Sequence, residues 1–309
     1  MYQKNRTTLV RKAETVMTSR DDDGYVGLSE SILIGEEQGS VHQEFAMVEL
    51  AAGGKIPGHY HPFEESFLIL SGEVFFAMSG FNYQLRAGDY GVAPIATPHA
   101  WQNLSSKPAR WIRIRAPQPK QIGDMYGVYP HRELVLPTEG KQVLLGDPLC
   151  RNLGHFDWKD MPPYGPIATR GISAPTAKRF SVRMIVDDII GAQQHVVFMG
   201  EQPPGEDGKN PIAESMPNNA TARSHFHQFE EIYHFFSGRA LAYLGGDIHE
   251  IEPGDTILTG VGSSHGVFSI GEEPMRWIET MTPRPPERDA LFWERDWLNS
   301  DYQPHKGQI

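Results

Sequence analysis

Two fourteen-residue strings, HYHPFEESFLILSG at 59–72 and HFHQFEEIYHFFSG at 225–238, stand 166 positions apart. The offset then holds without a gap. Gly80 maps to Gly246, the Gly88-Asp89 turn to Gly254-Asp255, and His99 to His265. Pro108, Arg110, Trp111 and Ile112 meet Pro274, Arg276, Trp277 and Ile278. Matches in one register over about sixty residues mark a duplicated unit, so the chain must fold as two copies of one architecture.

Within each copy the apolar residues alternate with period two. FLILSGEVFFAM, YQLRAGDYGVAP and ARWIRIRAP in the first copy, and IYHFFSGRALAYLGG, HEIEPGDTILTG and MRWIETM in the second, read as short strands broken by turns. The 31 glycines and 24 prolines fall between these runs, as turn residues do. Evenly spaced strands without long helical patterns predict an all-β chain of two tandem jelly-roll barrels. The expected division is a first barrel over 1–120, a connector over 121–175, a second barrel over 176–284 starting near Lys178, and a tail over 285–309. KQVLLG within the connector reads as a strand. PPERDALFWERDWL reads as a short C-terminal helix with Ala290, Trp293 and Trp297 on one face.

A formal charge of −11 argues against a general nucleic-acid or anionic-membrane surface. No apolar run approaches the ~18 residues of a membrane span, and the N-terminus lacks the apolar segment of a secretory signal. The single cysteine, Cys150, leaves no intrachain disulfide and reads as an inert thiol. These features predict a cytoplasmic protein.

On a strand, residues two apart share a face, so His59 and His61 project together. Glu65 opens the next strand after the Pro62 turn, and His99 arrives from a third segment. Three imidazoles and a carboxylate converging inside a small barrel form a ligand set for a divalent transition metal. A metal also resolves the cost of an unpaired carboxylate in apolar surroundings. His225, His227, Glu231 and His265 repeat the set, so two ions per chain are expected. Glu64 and Glu230 have the opposite parity and read as solvated or rim charges. His234 reads as a non-ligand. The expected linings differ: Trp101 against Val267, Phe67 and Ile69 against Tyr233 and Phe235, and Arg113 against Glu279. An inward Arg113 would hold an anionic substrate group in one barrel, and this asymmetry predicts that the two sites do different jobs.

The spacing Gly53-x5-His59-x-His61-x3-Glu65-x6-Gly72, followed by Gly88-x5-Pro94-x-Ala96-x2-His99-x3-Asn103, resembles the two motifs of the cupin superfamily. Ala96 stands where that family usually has glycine. The second copy keeps every ligand position and departs at Asn219, Gly260 and Ser269, which shape turns in the family. The chain thus looks like a bicupin with two His3Glu sites, and it resembles quercetin 2,3-dioxygenase-like bicupins in retaining both. That resemblance implies a small-molecule substrate, O₂ as co-substrate, Fe(II) or Mn(II) as metal ahead of Ni, Cu or Zn, and a homodimer. It gives Glu65 and Glu231 a second role as the base that removes a substrate proton. The expected reaction is oxygen-dependent cleavage of a small hydroxylated aromatic or diketone-like compound. The overall plan also resembles ureidoglycine aminohydrolase, a metal-dependent hydrolase expected to keep one site only. Oxalate decarboxylase shares the ligand spacing but differs around the motifs. A cupin isomerase or lyase, and a non-enzymatic small-molecule-binding bicupin, complete the alternatives.

Overall fold

The computed structural model describes residues 7–120, 127–144, 147, 150–169, 172–174, 179–205, 225–245, 247–285 and 292–293. Lys178, Asn219, Gly246 and most of the expected C-terminal helix lie outside them. The described chain is almost wholly β, and among these residues no helix is long and apolar enough to cross a membrane.

The first barrel is built around one 17-residue strand, Glu44–Tyr60. Its first half pairs with Ala109–Ala116 and its second half with His99–Gln102, so it serves both faces of the roll. Glu64–Ser71 lies between Ala109–Ala116 and Asp89–Ala93, and the hairpin Glu73–Met78/Phe81–Arg86 follows His99–Gln102. The glycines closing the strands before each hairpin are required by sterics. Gly72 and Gly238 have φ of +78° and +71°. A Cβ there would stand 2.5 Å from the Pro108 carbonyl oxygen and 2.6 Å from that of Pro274. Ala96 adopts φ +58°, the left-handed conformation that explains the glycine usual at its motif position.

The second barrel splits into two sheets. Glu230–Ser237 lies between Thr256–Thr259 and Met275–Thr282, with Val196–Gln202 and Ser181–Val186 beyond. The other sheet places Arg239–Leu244 between Asp247–Ile251 and His265–Ile270, with His225–Phe226 next. Its last strand is Phe292–Trp293, paired with His225–Phe226. At those two residues the expected C-terminal helix is therefore corrected to a strand: an open sheet edge offers backbone partners that the helical periodicity of the sequence does not reveal.

One further element ties the halves together. The N-terminal strand Thr7–Val10 crosses to the second barrel and pairs with Thr256–Thr259. The connector wraps the first barrel, adding short strands at Tyr129–Pro130, Lys141–Gln142 and Leu153–His155.

Each barrel interior has its own apolar core, one centred on Trp101, Trp111 and Phe76, the other on Trp277, Phe235 and Ile257. A third cluster belongs to both: Phe45, Leu68 and Ile112 pack against Val197, Ile232 and Ile278. That shared core overturns one sequence reading. Glu64 and Glu230 do point away from the metal cages, but the other face of each sheet is the junction, not solvent. They are 1% and 2% exposed. Glu64 accepts hydrogen bonds from the backbone N–H groups of Gln193 and Gln194 and contacts His195 Nδ1 at 2.9 Å. Glu230 accepts from the N–H groups of Val41 and His42 and from the Ser40 hydroxyl. His195 Nε2 in turn lies 2.8 Å from Ser66 Oγ. The Ser66–His195–Glu64 order mimics a nucleophile triad, yet all three residues are sealed inside the junction, where no substrate reaches. It is a structural tie.

Candidate metal centres

His59 is the next-to-last residue of the long strand and stands directly opposite His99 in the sheet register, while His61 follows the strand. His225 and His265 are paired in the same way. The two triads are close copies. Ring centroids are 4.3, 4.8 and 5.5 Å apart for His59–His99, His61–His99 and His59–His61. The corresponding separations are 4.4, 4.9 and 5.8 Å in the second barrel. Phe63 and Phe229 stack on His61 and His227, fixing those rings.

The proton positions follow from the outer contacts. Nδ1 of His59, His61 and His99 faces the carbonyl oxygens of Pro57, Phe63 and Thr97 at 2.8, 3.1 and 2.9 Å. His227 and His265 face the carbonyls of Phe229 and Ser263 at 2.7 and 2.9 Å. A carbonyl only accepts, so each Nδ1 carries the proton and each Nε2 turns a lone pair to the centre. Burial, with His99 adding to it, holds His59 well below its ordinary pKa, and burial also lowers His61. The buried Nε2 atoms of His61, His99 and His227 have no hydrogen-bond partner. Lone pairs aimed at one another and at carboxylate oxygens repel, and a cation between them turns the repulsion into coordination. The residues present therefore fit a divalent transition ion in each barrel.

The carboxylates differ between the two barrels. In the second, ligand atoms of His225, His227, Glu231 and His265 all lie within 4.8 Å of one another. Glu231 Oε2 is 2.9 Å from Nε2 of both His227 and His265. In the first, the corresponding cluster comprises His59, His61 and His99. Glu65 oxygens stand back at 3.4 Å from His61 Nε2 and 3.7 Å from His99 Nε2.

The cross-strand neighbours account for this difference. Arg115 lies directly opposite Glu65, and its Nε donates to Glu65 Oε2 at 2.8 Å. Arg113 Nε is 3.9 Å from the same oxygen and pairs with Glu30 and Glu44. Burial alone would push the Glu65 carboxyl up; Arg115, ahead of the neighbouring imidazoles, outweighs it and holds Glu65 well below the usual carboxylate range. The residue opposite Glu231 is Met281. There Tyr233 donates to Glu231 Oε2 at 2.5 Å, and the Trp277 indole donates to Glu279. Burial, then the neighbouring Glu231, pushes Glu279 well above the usual range.

A 370 Å³ cavity reaches the first cage. His59, Glu65, Trp101, Trp111, Arg113 and Arg115 are among its walls. A 650 Å³ outer cavity shares Arg20, Tyr25, His59 and Val128 with it and is roofed by the connector at His131 and Leu134. The connector sits close: the His131 N–H donates to the Gly58 carbonyl, and a Cβ on Gly58 would meet the His131 carbonyl oxygen at 2.5 Å.

Trp101 thus lines the chamber, stacked on Trp111 at 4.9 Å. Phe67 and Ile69 pack in the core of the first barrel and Phe235 in that of the second, whereas Tyr233 reaches the second cage. Arg113 faces inward, but three glutamates already surround its guanidinium. His234 is buried at the junction beside Phe45, with Nδ1 against Thr256 Oγ1. Arg115 was not singled out from sequence. Its position two residues beyond Arg113 on an alternating strand is the signal that would have found it.

A family model described as the cupin domain matches residues 46–115 and 212–281. No curated protein sequence matches at a significant level. Among solved structures, a putative glyoxylate induced protein from Pseudomonas aeruginosa is similar, with a TM-score of 0.59 and 16% identity over 91% of this chain and 88% of that one. Oxalate decarboxylase from Lactobacillus farciminis aligns with a TM-score of 0.60 and 13% identity, covering 94% and 89% of the two chains. Oxalate decarboxylase from Bacillus subtilis gives 0.58 and 13%, covering 91% and 78%. At these identities the likeness is one of fold.

Proposed function

We propose, on the premise that this chain carries two cupin domains, that it is a metal-dependent oxidoreductase whose reaction chamber is the first barrel. Its expected reaction is dioxygenase cleavage of a small hydroxylated aromatic or diketone-like substrate. The observation that carries this reading is the cavity in which two cage residues meet an aromatic wall: His59 and Glu65 on one side, Trp101 and Trp111 on the other. Its 370 Å³ suits a small organic molecule.

A divalent transition ion bound there supplies Lewis acidity to a substrate oxygen and, as Fe or Mn, redox reactivity toward O₂. The manganese(II) centres named for the B. subtilis oxalate decarboxylase make Mn(II), beside Fe(II), the first ion to test. Glu65 stands beside the cage, within reach of the proton of a hydroxyl entering there. Trp101 and Trp111 keep water from the reacting atoms and offer flat faces to a planar substrate.

A second reading is favoured by Arg113 and Arg115 beside the cage and by the decarboxylases among the fold neighbours. It is an O₂-independent lyase acting on a small carboxylate. An oxygen electrode run with flavonols, catechols and diketones, alongside anaerobic CO₂ release from small dicarboxylates, separates the two. Stoichiometric O₂ uptake supports the dioxygenase. Turnover unchanged without O₂ replaces it with the lyase.

A further inference from the structure

The two cages share six histidines at matched positions, yet the strand that carries the residue opposite each glutamate has diverged in charge. Arg113 and Arg115 in the first barrel correspond to Glu279 and Met281 in the second. The divergence continues on the neighbouring strands. Arg115 faces Glu44 where Met281 faces Val196, and Glu30 occupies the register place of Val182. A network of two arginines and two extra glutamates, with Arg113 and Glu44 buried and Arg115 and Glu30 half-buried, has thus been built around one cage only.

We propose that this network sets different ligand numbers in the two barrels. The first ion is held by His59, His61 and His99 alone, with Glu65 retained by Arg115 as an unligated carboxylate. The second is held by His225, His227, His265 and Glu231. To close on the first ion through Oε2, the oxygen facing His61, Glu65 would have to leave Arg115 Nε at 2.8 Å and Arg113 at 3.9 Å, and its Oε1 lies 3.7 Å from His99 Nε2. The buried Arg113 and half-buried Arg115 guanidiniums would then share only Glu30 and Glu44, at a site where an uncompensated charge is expensive. Among the described residues no cation opposes ligation by Glu231. Tyr233 orients it, and Phe67 at the corresponding place in the first barrel cannot.

The assignment rests on the reading that both cages bind metal, and it gives the first barrel what that reading needs: a carboxylate free to move a proton, beside an ion with more open positions.

The test counts and characterises ions in the full-length protein without reference to turnover. Wild-type chain, Glu65→Gln and Glu231→Gln are loaded with Mn(II), dialysed against a weak chelator and analysed for manganese, with electron paramagnetic resonance spectra of each. Glutamine keeps the side-chain volume, so folding is preserved, and circular dichroism checks it. The expected result is two unequal spectra in the wild type and two retained ions in Glu65→Gln. In Glu231→Gln the affinity of one site falls by about tenfold or more. Arg115→Met should shift the first-site spectrum toward the second as Glu65 closes. Equal loss of manganese in both glutamine variants, or identical sites in the wild type, overturns the assignment while leaving metal binding intact. A wild-type chain that retains no manganese overturns both.

Discussion

His195 Nδ1 lies 2.9 Å from Glu64 Oε2, a contact that crosses from the second barrel to the first. It belongs to a reciprocal arrangement in which each barrel sends a buried carboxylate into a loop of the other, Glu64 into 193–195 and Glu230 into 40–42. The two carboxylates correspond under the 166-residue offset, and the loops that receive them stand 153 residues apart, so the duplication built the junction as well as the cages.

Removing one of these carboxylates strands buried donors. Glu64→Ala leaves two backbone N–H groups and His195 without their acceptor, and Glu230→Ala does the same to Val41, His42 and Ser40. Each variant is expected to lose about 3 kcal/mol or more of stability in urea unfolding. A loss under about 1 kcal/mol would show that solvent, not the partner barrel, satisfies those groups.

The junction should also respond to acid through His234. Burial pushes this imidazole down to about 4, with Lys12 adding to the shift and Asp255 opposing it. Between that value and the ordinary 6.5 the unfolded chain binds the proton that the folded chain refuses. The neutral ring's contribution is therefore complete above pH 6.5 and is lost as pH falls to about 4, a span worth about 3 kcal/mol. His234→Gln should flatten the stability–pH curve across that window by about this amount. An unchanged slope would locate the acid sensitivity elsewhere.

Trp101 is replaced in the second copy by Val267. Trp101→Val removes the stack on Trp111 and the contact with Phe76, at a cost of about 3 kcal/mol, and widens the chamber. It should raise KM for a planar substrate while leaving the bound ions in place, because no cage atom is touched. Loss of metal from this variant, measured by elemental analysis, would contradict its assignment to the chamber wall.

How much of this was legible beforehand depended on distance along the chain. His59, His61 and Glu65 fall within seven residues, so strand parity and one turn suffice to bring them together, and the second copy repeats the pattern. Parity also placed Glu64 and Glu230 on the opposite face. It could not say that this face meets another barrel, since that depends on packing between surfaces far apart in sequence. Arg115 escaped for a related reason: its partner lies 50 residues away across a strand pair, and only the observed register sets them opposite. The crossing of Thr7–Val10 to the other barrel has no local signal at all. The C-terminal aromatic run did carry one, a helical period, which pairing with His225–Phe226 overrides at Phe292–Trp293.

The account stands most directly on metal content. Wild-type protein, His61→Ala and His227→Ala, each reconstituted anaerobically with Mn(II) or Fe(II) and desalted, should retain close to two, one and one ions per chain by elemental analysis. Wild-type protein that keeps no stoichiometric ion, or variants that keep as much as the wild type, would contradict it.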